Sequence, residues 1–196
     1  MADGHNKGVT LASAVDLSRQ DDIVNNSVLN FAVFGSKLGT HYMDLADILT
    51  KAQIVPEMRG TNRWEAIDEL IDNLVTTGKI RSSDRDAVTA AVKKRETSMS
   101  TGIGFGIGIP HASTDLISEV VGSLGRSSKG VNFDALDNQP VKLVMLFLVP
   151  QGQFQKHLHT LANIAKLLHK MEFRQALEKA PDAEAMLAVI REFGKK

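Results

Sequence analysis

A single histidine follows a run of glycines that alternates with large apolar residues. Every second residue from Gly102 to Gly108 is glycine, and Pro110 and His111 come shortly after. Because successive side chains of a strand point to opposite faces, this spacing predicts a strand over residues 102–109 with one apolar face and one face of bare backbone. Glycine weakens a strand, so the bare face indicates that another group approaches the backbone closely. Proline ends the ladder pairing, and we expect His111 at a strand end with its imidazole facing a cleft.

A histidine at this position suits a catalytic role, because an imidazole gains or loses its proton near neutral pH. A lone histidine after proline is also common as a surface or capping residue, and both interpretations remain open on this segment. The glycine run does not have the GxGxxG spacing of a nucleotide-binding loop, and a Pro-His pair rather than a helix follows it. These departures argue against a nucleotide site.

Two further histidines, His157 and His159, lie on a predicted helix over residues 155–170. At about 100° per residue, His157 shares a face with Leu161 and Leu168, whereas His159 lies on the opposite, polar face. We therefore expect His157 to point to the domain interior and His159 to point to water. His157 is then either a hydrogen-bonded core residue or part of a functional site. The i, i+2 spacing does not converge on one ligand, so the pair does not predict a metal site.

Arg95 lies at the end of another predicted helix, over residues 84–96, just before Ser98. A guanidinium group binds phosphate oxygens in a fork, so an arginine near exposed backbone amides suits an oxyanion site. The alternative is a solvated charge within the polar run Lys93–Glu96. The sequence shows no serine elbow, paired zinc motif or cluster of carboxylates. We expect neither a metal nor an organic cofactor.

Composition argues against several classes of protein. The 196 residues include 23 Lys and Arg and 23 Asp and Glu, and the zero net charge argues against nucleic acid or an anionic membrane as a partner. The absence of cysteine excludes disulfides, thiolate zinc sites and cysteine nucleophiles. The longest apolar run, over residues 141–149, is too short to cross a bilayer. The first residues lack the pattern of a secretory signal, so we expect a cytoplasmic protein without membrane insertion.

Predicted helices and strands interleave along the chain. Helical periodicity covers residues 62–79, 84–96, 155–170 and 182–193, and strand patterns cover residues 102–109, 120–124 and 141–149. We expect Thr61 or Asn62 to cap the first helix and Ser82 or Ser83 to cap the second. Asp137–Pro140 predicts a turn before the last strand.

This order predicts an α/β fold, a single domain over residues 43–196 with a small mixed β-sheet flanked by helices. Residues 1–42 are weakly patterned and predict a poorly ordered N-terminal extension. Two alternatives remain open for this segment. It is either an addition from an upstream start site, or Val28–Val33 adds a strand or covers an apolar patch.

Several motifs, in order, resemble enzyme IIA of the fructose/mannitol type from the bacterial phosphoenolpyruvate-dependent phosphotransferase system. They span roughly residues 43–193 and comprise Lys94–Glu96, Ser100–His111, Asp137–Val141, Leu146–Pro150 and His157–Ala162. The Asp-Asn-Gln-Pro-Val turn and the His-Leu-His-Thr-Leu helix start are most similar to the nitrogen-regulatory branch. Gly108 stands where alanine is usual, and the first forty residues have no counterpart in the family pattern.

The resemblance implies a phosphotransferase component that carries a phosphoryl group on a histidine. His111 would accept the group on a ring nitrogen from phosphorylated HPr or a paralogue of it. His157 would be the second active-site histidine, and Arg95 and the amides of the glycine run would stabilise phosphoryl oxygens. A neutral imidazole is a competent nucleophile for phosphorus, and no cofactor is required.

Two roles fit this resemblance. In the first, phosphorylation controls binding to regulatory target proteins, as in nitrogen-related regulation. In the second, the phosphoryl group passes to a cysteine of a IIB subunit in fructose/mannitol-type sugar uptake. The chain contains no IIB-like cysteine and no membrane segment, which favours the regulatory role. A third possibility, an interaction domain that keeps only the fold, is disfavoured by the presence of His111, His157 and Arg95.

Overall fold

The computed structural model describes residues 43–194, and the predicted extension over residues 1–42 lies outside them. The described strands are β1 (Ile54–Val55), β2 (Gly102–Gly104), β3 (Ile107–Gly108), β4 (His111–Thr114), β5 (Val121–Val131) and β6 (Val141–Pro150). The described α-helices are α1 (Leu45–Ile48), α2 (Arg63–Thr76), α3 (Arg85–Ser98), α4 (Phe154–His169), α5 (Met171–Lys179) and α6 (Ala183–Gly194). Short 3-10 helices cover Lys51–Gln53 and Ser82–Asp84.

Strand β6 is the centre of a mixed sheet. It pairs antiparallel with β5 on one side and parallel with β3 and β4 on the other. Strand β1 extends the sheet beyond β5, and β2 extends it beyond β3. All residues of β6 except Lys142 are buried, because both faces of this strand are covered. The predicted α/β fold with a small mixed sheet flanked by helices is confirmed.

Side chains of β6 enter two apolar cores on opposite faces of the sheet. Leu143, Met145 and Phe147 pack in a core with residues of α1, α4, α5 and α6. Val144 and Leu146 pack in the other core, with residues of α2 and α3. Helices α3 and α4 therefore belong to opposite layers of the fold.

The two helices before the glycine run begin by different means. Asn62 caps α2, because its side-chain oxygen accepts hydrogen bonds from the backbone N–H groups of Trp64 and Glu65. The predicted serine cap of α3 is wrong. Ser82 and Ser83 lie in a 3-10 helix instead, and the residue at the N-cap position is Asp84, whose side chain makes no capping hydrogen bond.

The glycine run folds as a β-hairpin, so the prediction of one strand over residues 102–109 is wrong. Strands β2 and β3 pair antiparallel on either side of Phe105 and Gly106. The φ angles are 56° at Phe105 and 75° at Gly106, which are the positive values that tight hairpin turns require. Glycine adopts such values without a steric penalty, and the run therefore reverses the chain instead of continuing it.

The glycines of this hairpin allow close packing against a later segment of the same chain. A Cβ atom at Gly102 would lie 2.8 Å from Ala135, and one at Gly108 would lie 3.2 Å from the ring of Phe133. The prediction that a group approaches the backbone closely is confirmed for these two positions. The group is a neighbouring segment of the protein.

His111 begins a strand, which corrects the expectation of a strand end. Ile107 of β3 pairs with Leu143 and His111 of β4 pairs with Phe147, so β3 and β4 follow β6 in one common register. Pro110 interrupts the pairing because it has no N–H group. Its carbonyl oxygen still accepts a hydrogen bond from the backbone N–H of Phe147 at 3.0 Å. The site residue is thereby fixed to the central strand.

The four predicted helices and the predicted strand over residues 141–149 differ from the observed elements only at their ends, whereas α1, α5, β1 and β4 were not predicted. Strand β5 continues to Val131, well beyond the predicted residues 120–124. The predicted turn before β6 is present, where Asn138 has a φ of 56° and the side chain of Asp137 accepts a hydrogen bond from the backbone N–H of Gln139 at 3.0 Å. No helix within residues 43–194 is both long and apolar enough to span a membrane.

Candidate functional site

The imidazole of His111 is oriented by a hydrogen bond along its edge. Its Nδ1 lies 2.8 Å from the carbonyl oxygen of Ile109. A carbonyl oxygen only accepts, so the proton of the neutral ring is on Nδ1, which donates to Ile109. The other nitrogen, Nε2, then carries the lone pair. This assignment leaves Nε2 as the nucleophilic atom of a half-buried ring.

Helix α4 contributes a second contact, on the face of the ring. The phenyl ring of Phe154 stacks on the imidazole of His111, with centroids 6.0 Å apart and planes inclined by 24°. Such an arrangement is within the range of favourable aromatic pairs. The edge and one face of the imidazole are therefore both held, by residues from different elements.

The surroundings of His111 favour the neutral ring. Burial lowers the pKa of His111, the hydrogen bond to Ile109 raises it in part, and the positive charge of Arg95 lowers it again. The net effect is a pKa below the ordinary value for histidine. A nucleophile must present its lone pair, so this shift keeps His111 competent at neutral pH.

A cleft of about 660 Å³ opens beside His111. It is bounded by the last turns of α3, by β4 and by the start of α4, and its lining residues are Ala91, Lys94, Arg95, Ser98, His111, Ala112, Ser113 and Phe154. Two cations and two hydroxyl groups therefore share this cleft with the imidazole. That set matches an oxyanion with several oxygens, such as a phosphoryl group.

Arg95 is half-buried at the cleft and is partly anchored there. One Nη atom donates a hydrogen bond to the carbonyl oxygen of Met99 at 3.0 Å. The other donors of the guanidinium group have no such bond described, and their number suits a forked contact with phosphate oxygens. Arg95 also lies in the last turn of α3, where a cation is favourably placed against the helix dipole.

Glu96 joins the end of α3 to the start of the hairpin. Its carboxylate is buried and accepts hydrogen bonds from the backbone N–H of Thr101 at 2.9 Å and from the Thr101 hydroxyl at 2.6 Å. A buried carboxylate with two donors fixes its neighbours firmly. Glu96 therefore helps to set the position of Arg95, its neighbour in sequence, relative to the strands that lead to His111.

The structure places two of the three predicted site residues in one cleft and the third outside its lining. His111 and Arg95 line the same cleft. His157 is half-buried on α4, three residues after Phe154, and is not among the residues that line the cleft. Burial and the charge of Lys156 lower the pKa of His157, which favours its neutral form.

The predicted contrast between His157 and His159 is weaker than helical spacing suggested. His159 is half-buried as well, so the expectation that it points to water is wrong. The fully buried stripe of α4 consists of Thr160, Ile164 and Leu168. Both histidines precede this stripe, in the first turns of the helix, where neighbouring chain partly covers them.

Of the eight lining residues, only Arg95 and His111 were predicted as site residues, and the polar and aromatic ones that were missed are Lys94, Ser98, Ser113 and Phe154. Ser113 follows His111 by two residues and so shares its face of the strand. Phe154 precedes His157 by three residues and so shares its side of the helix. These spacings were available in the sequence. The sequence analysis favoured the glycine run instead, but no glycine of this run lines the cleft.

The described residues contain no group of three or more His, Asp or Glu side chains arranged to hold a metal ion. The cleft itself offers one imidazole, two cationic groups and two hydroxyls. These groups suit nucleophilic attack by nitrogen with charge stabilisation by cations.

Comparison with known proteins agrees with this geometry. The family model described as "Phosphoenolpyruvate-dependent sugar phosphotransferase system, EIIA 2" matches residues 47–193. The fructose-specific EIIA component of Haloferax volcanii is 36% identical over 153 residues, which are 76% of this chain and 98% of that protein.

Solved structures show the same fold. The crystal structure of the nitrogen regulatory protein IIA-Ntr from Neisseria meningitidis has a TM-score of 0.67 and 28% identity, covering 74% of this chain and 98% of that one. A mannitol enzyme IIA from Escherichia coli, solved in complex with phosphorylated enzyme IIB, has a TM-score of 0.62 and 17% identity, covering 74% of this chain and 97% of that one. By its match to the family model, this chain belongs to the EIIA type-2 family of the phosphoenolpyruvate-dependent sugar phosphotransferase system.

Proposed function

We propose that the protein carries a phosphoryl group on Nε2 of His111. The observation that carries the proposal is the hydrogen bond from Nδ1 to the carbonyl oxygen of Ile109, because it places the lone pair on Nε2. The lowered pKa keeps that lone pair available at neutral pH. A histidine phosphoryl carrier is thus the specific form of the transferase activity that the family performs.

In the transfer step, the Nε2 lone pair attacks the phosphorus atom of a donor phosphohistidine. A new N–P bond forms, the donor's N–P bond breaks, and its electron pair returns to the donor imidazole. The proton on Nδ1 stays in place, and the Ile109 carbonyl stabilises the positive charge that develops on the ring. Reversal of the same step passes the group to an acceptor.

Arg95 and Lys94 supply the positive charge that phosphoryl transfer needs. Both line the cleft beside His111. In a loose transition state the charge is spread over the phosphoryl oxygens, and catalysis consists of positioning and electrostatic stabilisation. We assign Arg95 to these oxygens, and the hydroxyl group of Ser113 is a further donor in the same cleft. The Ser98 hydroxyl donates to the carbonyl oxygen of Arg95 at 2.6 Å.

His157 completes the proposed site as a supporting histidine. It lies on α4 close in sequence to Phe154, which contacts His111 directly. Its lowered pKa gives a neutral imidazole that can donate one hydrogen bond and accept another. The resemblance to the family motif supports this assignment.

The partners follow from the family. The donor is phosphorylated HPr or its nitrogen-branch paralogue, and the reaction takes place in the cytoplasm. The first role is nitrogen-related regulation, in which target proteins distinguish the two phosphorylation states. The nitrogen regulatory protein from Neisseria meningitidis supports it.

A second role is a relay to a IIB subunit in sugar uptake. The 36% identity with a fructose-specific EIIA component favours it. Both roles require the same chemistry at His111.

The proposal is tested by incubating the protein with phosphoenolpyruvate, enzyme I and HPr and measuring its intact mass. Wild-type protein should gain one acid-labile phosphoryl group, and His111→Ala should gain none. The matched control is His169→Ala. His169 is another half-buried histidine whose Nδ1 contacts a backbone carbonyl, that of Ala165, at 2.9 Å. Phosphorylation that persists in His111→Ala overturns the assignment.

A further inference from the structure

Phe154 flanks the candidate nucleophile. Its ring is inclined by 24° to the imidazole of His111 with the centroids 6.0 Å apart, and it lines the same cleft as the two cations. Phe154 has no charge and no donor, so it contributes nothing to nucleophilic attack itself. Its position, on the first turn of α4, is nevertheless directly against the reacting side chain.

The two contacts on His111 restrict different motions. The Nδ1–H to Ile109 hydrogen bond fixes the edge of the ring at 2.8 Å. With that bond alone, the imidazole can still rotate about an axis through Nδ1. A planar group stacked on the ring at an inclination of 24° opposes this rocking. Together they fix the direction in which the Nε2 lone pair points into the cleft.

We propose that Phe154 is a positioning residue that holds the imidazole plane of His111 and thereby sets the lifetime of the phosphorylated state. This inference rests on the proposed phosphorylation of Nε2. With the ring held, the N–P bond keeps one direction and the phosphoryl oxygens stay beside Arg95 and Lys94. With the ring free to rock, the phosphoryl group moves toward open water.

Loss of the phosphoryl group to water follows a defined course. A water oxygen forms a bond to phosphorus, the N–P bond breaks, and its electron pair returns to Nε2. Inorganic phosphate leaves with the water oxygen and its protons. Attack must come in line with the breaking bond, so a ring with several orientations offers water more productive approaches than a ring with one.

Phe154 also contributes to the burial of the imidazole of His111. Burial is the main cause of the lowered pKa of His111, and a phenyl ring on the imidazole is part of that burial. A hydrogen bond shielded from water is stronger than an exposed one. Removal of the phenyl ring therefore weakens both contacts that orient the imidazole.

The experiment compares Phe154→Ala, Phe154→Leu and Phe154→Tyr with wild type. Each protein is phosphorylated through enzyme I and HPr and then separated from them, and the half-life of the phosphohistidine is measured. Phe154→Ala should shorten the half-life about two- to tenfold, the range that corresponds to the loss of one aromatic pair. Phe154→Tyr keeps an aromatic ring and should restore the wild-type value, and Phe154→Leu should give an intermediate value.

Phe105→Ala is the matched control. Phe105 is another partly exposed phenylalanine beside a histidine, with its ring centroid 5.4 Å from that of His169. It does not line the cleft, so its removal should leave the half-life of the phosphohistidine unchanged.

NMR of the unphosphorylated protein tests whether the phenyl ring of Phe154 lies beside the imidazole of His111 in solution. The ring protons of His111 should shift in Phe154→Ala, because they lose the ring current of the phenyl group. Phe154 also packs against an apolar core, so the half-lives are compared at a temperature at which every variant is folded. Equal half-lives in wild type and Phe154→Ala overturn the inference and leave the proposed function intact. Failure of wild type to accept a phosphoryl group on His111 overturns both.

Discussion

At the scale of single residues, the reactivity of His111 depends on a backbone carbonyl and on burial. The Ile109 carbonyl selects the tautomer, and the surrounding chain lowers the pKa. Arg95 then has two effects, since its charge disfavours the imidazolium ion and favours a phosphoryl group in the same cleft. In the proposed mechanism, the cation that helps to keep unphosphorylated His111 neutral also stabilises the phosphorylated product.

The pH dependence of stability should follow from the pKa of His111. A lowered folded-state pKa means that the unfolded chain binds the proton more tightly, so unfolding takes up a proton. Stability should therefore fall as pH drops through the ordinary range of histidine, about 6.5, and level off below the folded-state pKa. Phosphoryl acceptance should fall as pH drops through the folded-state pKa.

Thermal or denaturant unfolding as a function of pH tests this prediction. His111→Ala should lose less stability than wild type between neutral and mildly acidic pH. The pKa of His157 is lowered too, so His157→Ala should also lose less stability than wild type at mildly acidic pH. If His111→Ala lost more stability on acidification than wild type, the result would contradict the lowered pKa of His111.

Arg95→Ala should reduce transfer much more than stability. Loss of a half-buried surface charge should change the free energy of unfolding by less than about 1 kcal/mol. Loss of a donor to the phosphoryl oxygens should slow transfer on the order of a hundredfold. Stopped-flow or quenched transfer from phosphorylated HPr, together with thermal unfolding, measures both quantities.

Arg59→Ala is a suitable control for that experiment. The Arg59 side chain is 92% exposed and pairs only loosely with Glu69, at 3.5 Å. Arg59→Ala should therefore leave both the transfer rate and the free energy of unfolding close to the wild-type values. An Arg95→Ala protein that melts much earlier yet transfers normally per folded molecule would assign Arg95 to the fold instead.

At the scale of secondary structure elements, apolar periodicity predicted the observed elements more accurately than the alternation of glycine with apolar residues did. Helix α2 and strand β6 were predicted closely, because their apolar spacing reflects burial on one face or on both. The hairpin was missed because alternation of glycine with apolar residues is the same on one strand and on two strands joined by a tight turn. Only the positive φ angles of Phe105 and Gly106 distinguish these structures.

Contacts between elements could not be predicted from spacing alone. Helical spacing places Phe154 on the same side of α4 as His157, but it does not show that α4 packs Phe154 beside His111, because the two residues belong to different elements. Arg95 and His111 were both predicted as site residues, and the cleft that they share depends on the packing of α3 against β4.

His157→Ala should slow transfer more than His159→Ala does. We expect a slowing of about tenfold or more for His157→Ala, equivalent to about 1.4 kcal/mol of transition-state stabilisation. Both side chains are half-buried on the same helix, so the second variant controls for a general loss of packing in α4. Transfer rates for the two folded variants provide the test, and equal rates would mean that neither histidine has a special role.

At the scale of the whole molecule, the three-layer arrangement explains why the site lies where it does. The α3 layer brings Arg95 and Lys94 to β4 from one face of the sheet. The α4 layer brings Phe154 to His111 from the other. A cleft with cations on one side and an aromatic ring on the other therefore requires both layers. The fold that the family shares supplies them.

Removal of residues 1–42 should leave the chemistry intact. The family model matches residues 47–193, and every cleft residue lies within that range. A protein that begins at Met43 should fold and accept a phosphoryl group on His111 at nearly the full rate. Thermal unfolding and transfer rates of the two forms provide the comparison. A lower melting temperature with aggregation of the shorter form would show that the segment belongs to the domain.

The most direct test of the central claim is to identify the atom that carries the phosphoryl group. The protein is labelled with ¹⁵N in its histidine rings, phosphorylated through enzyme I and HPr, and examined by NMR for the ring nitrogen that is bonded to phosphorus. The account predicts phosphorus on Nε2 of His111, with Nδ1 still protonated and donating to Ile109. Phosphorus on Nδ1 of His111, or on any other histidine, would contradict it.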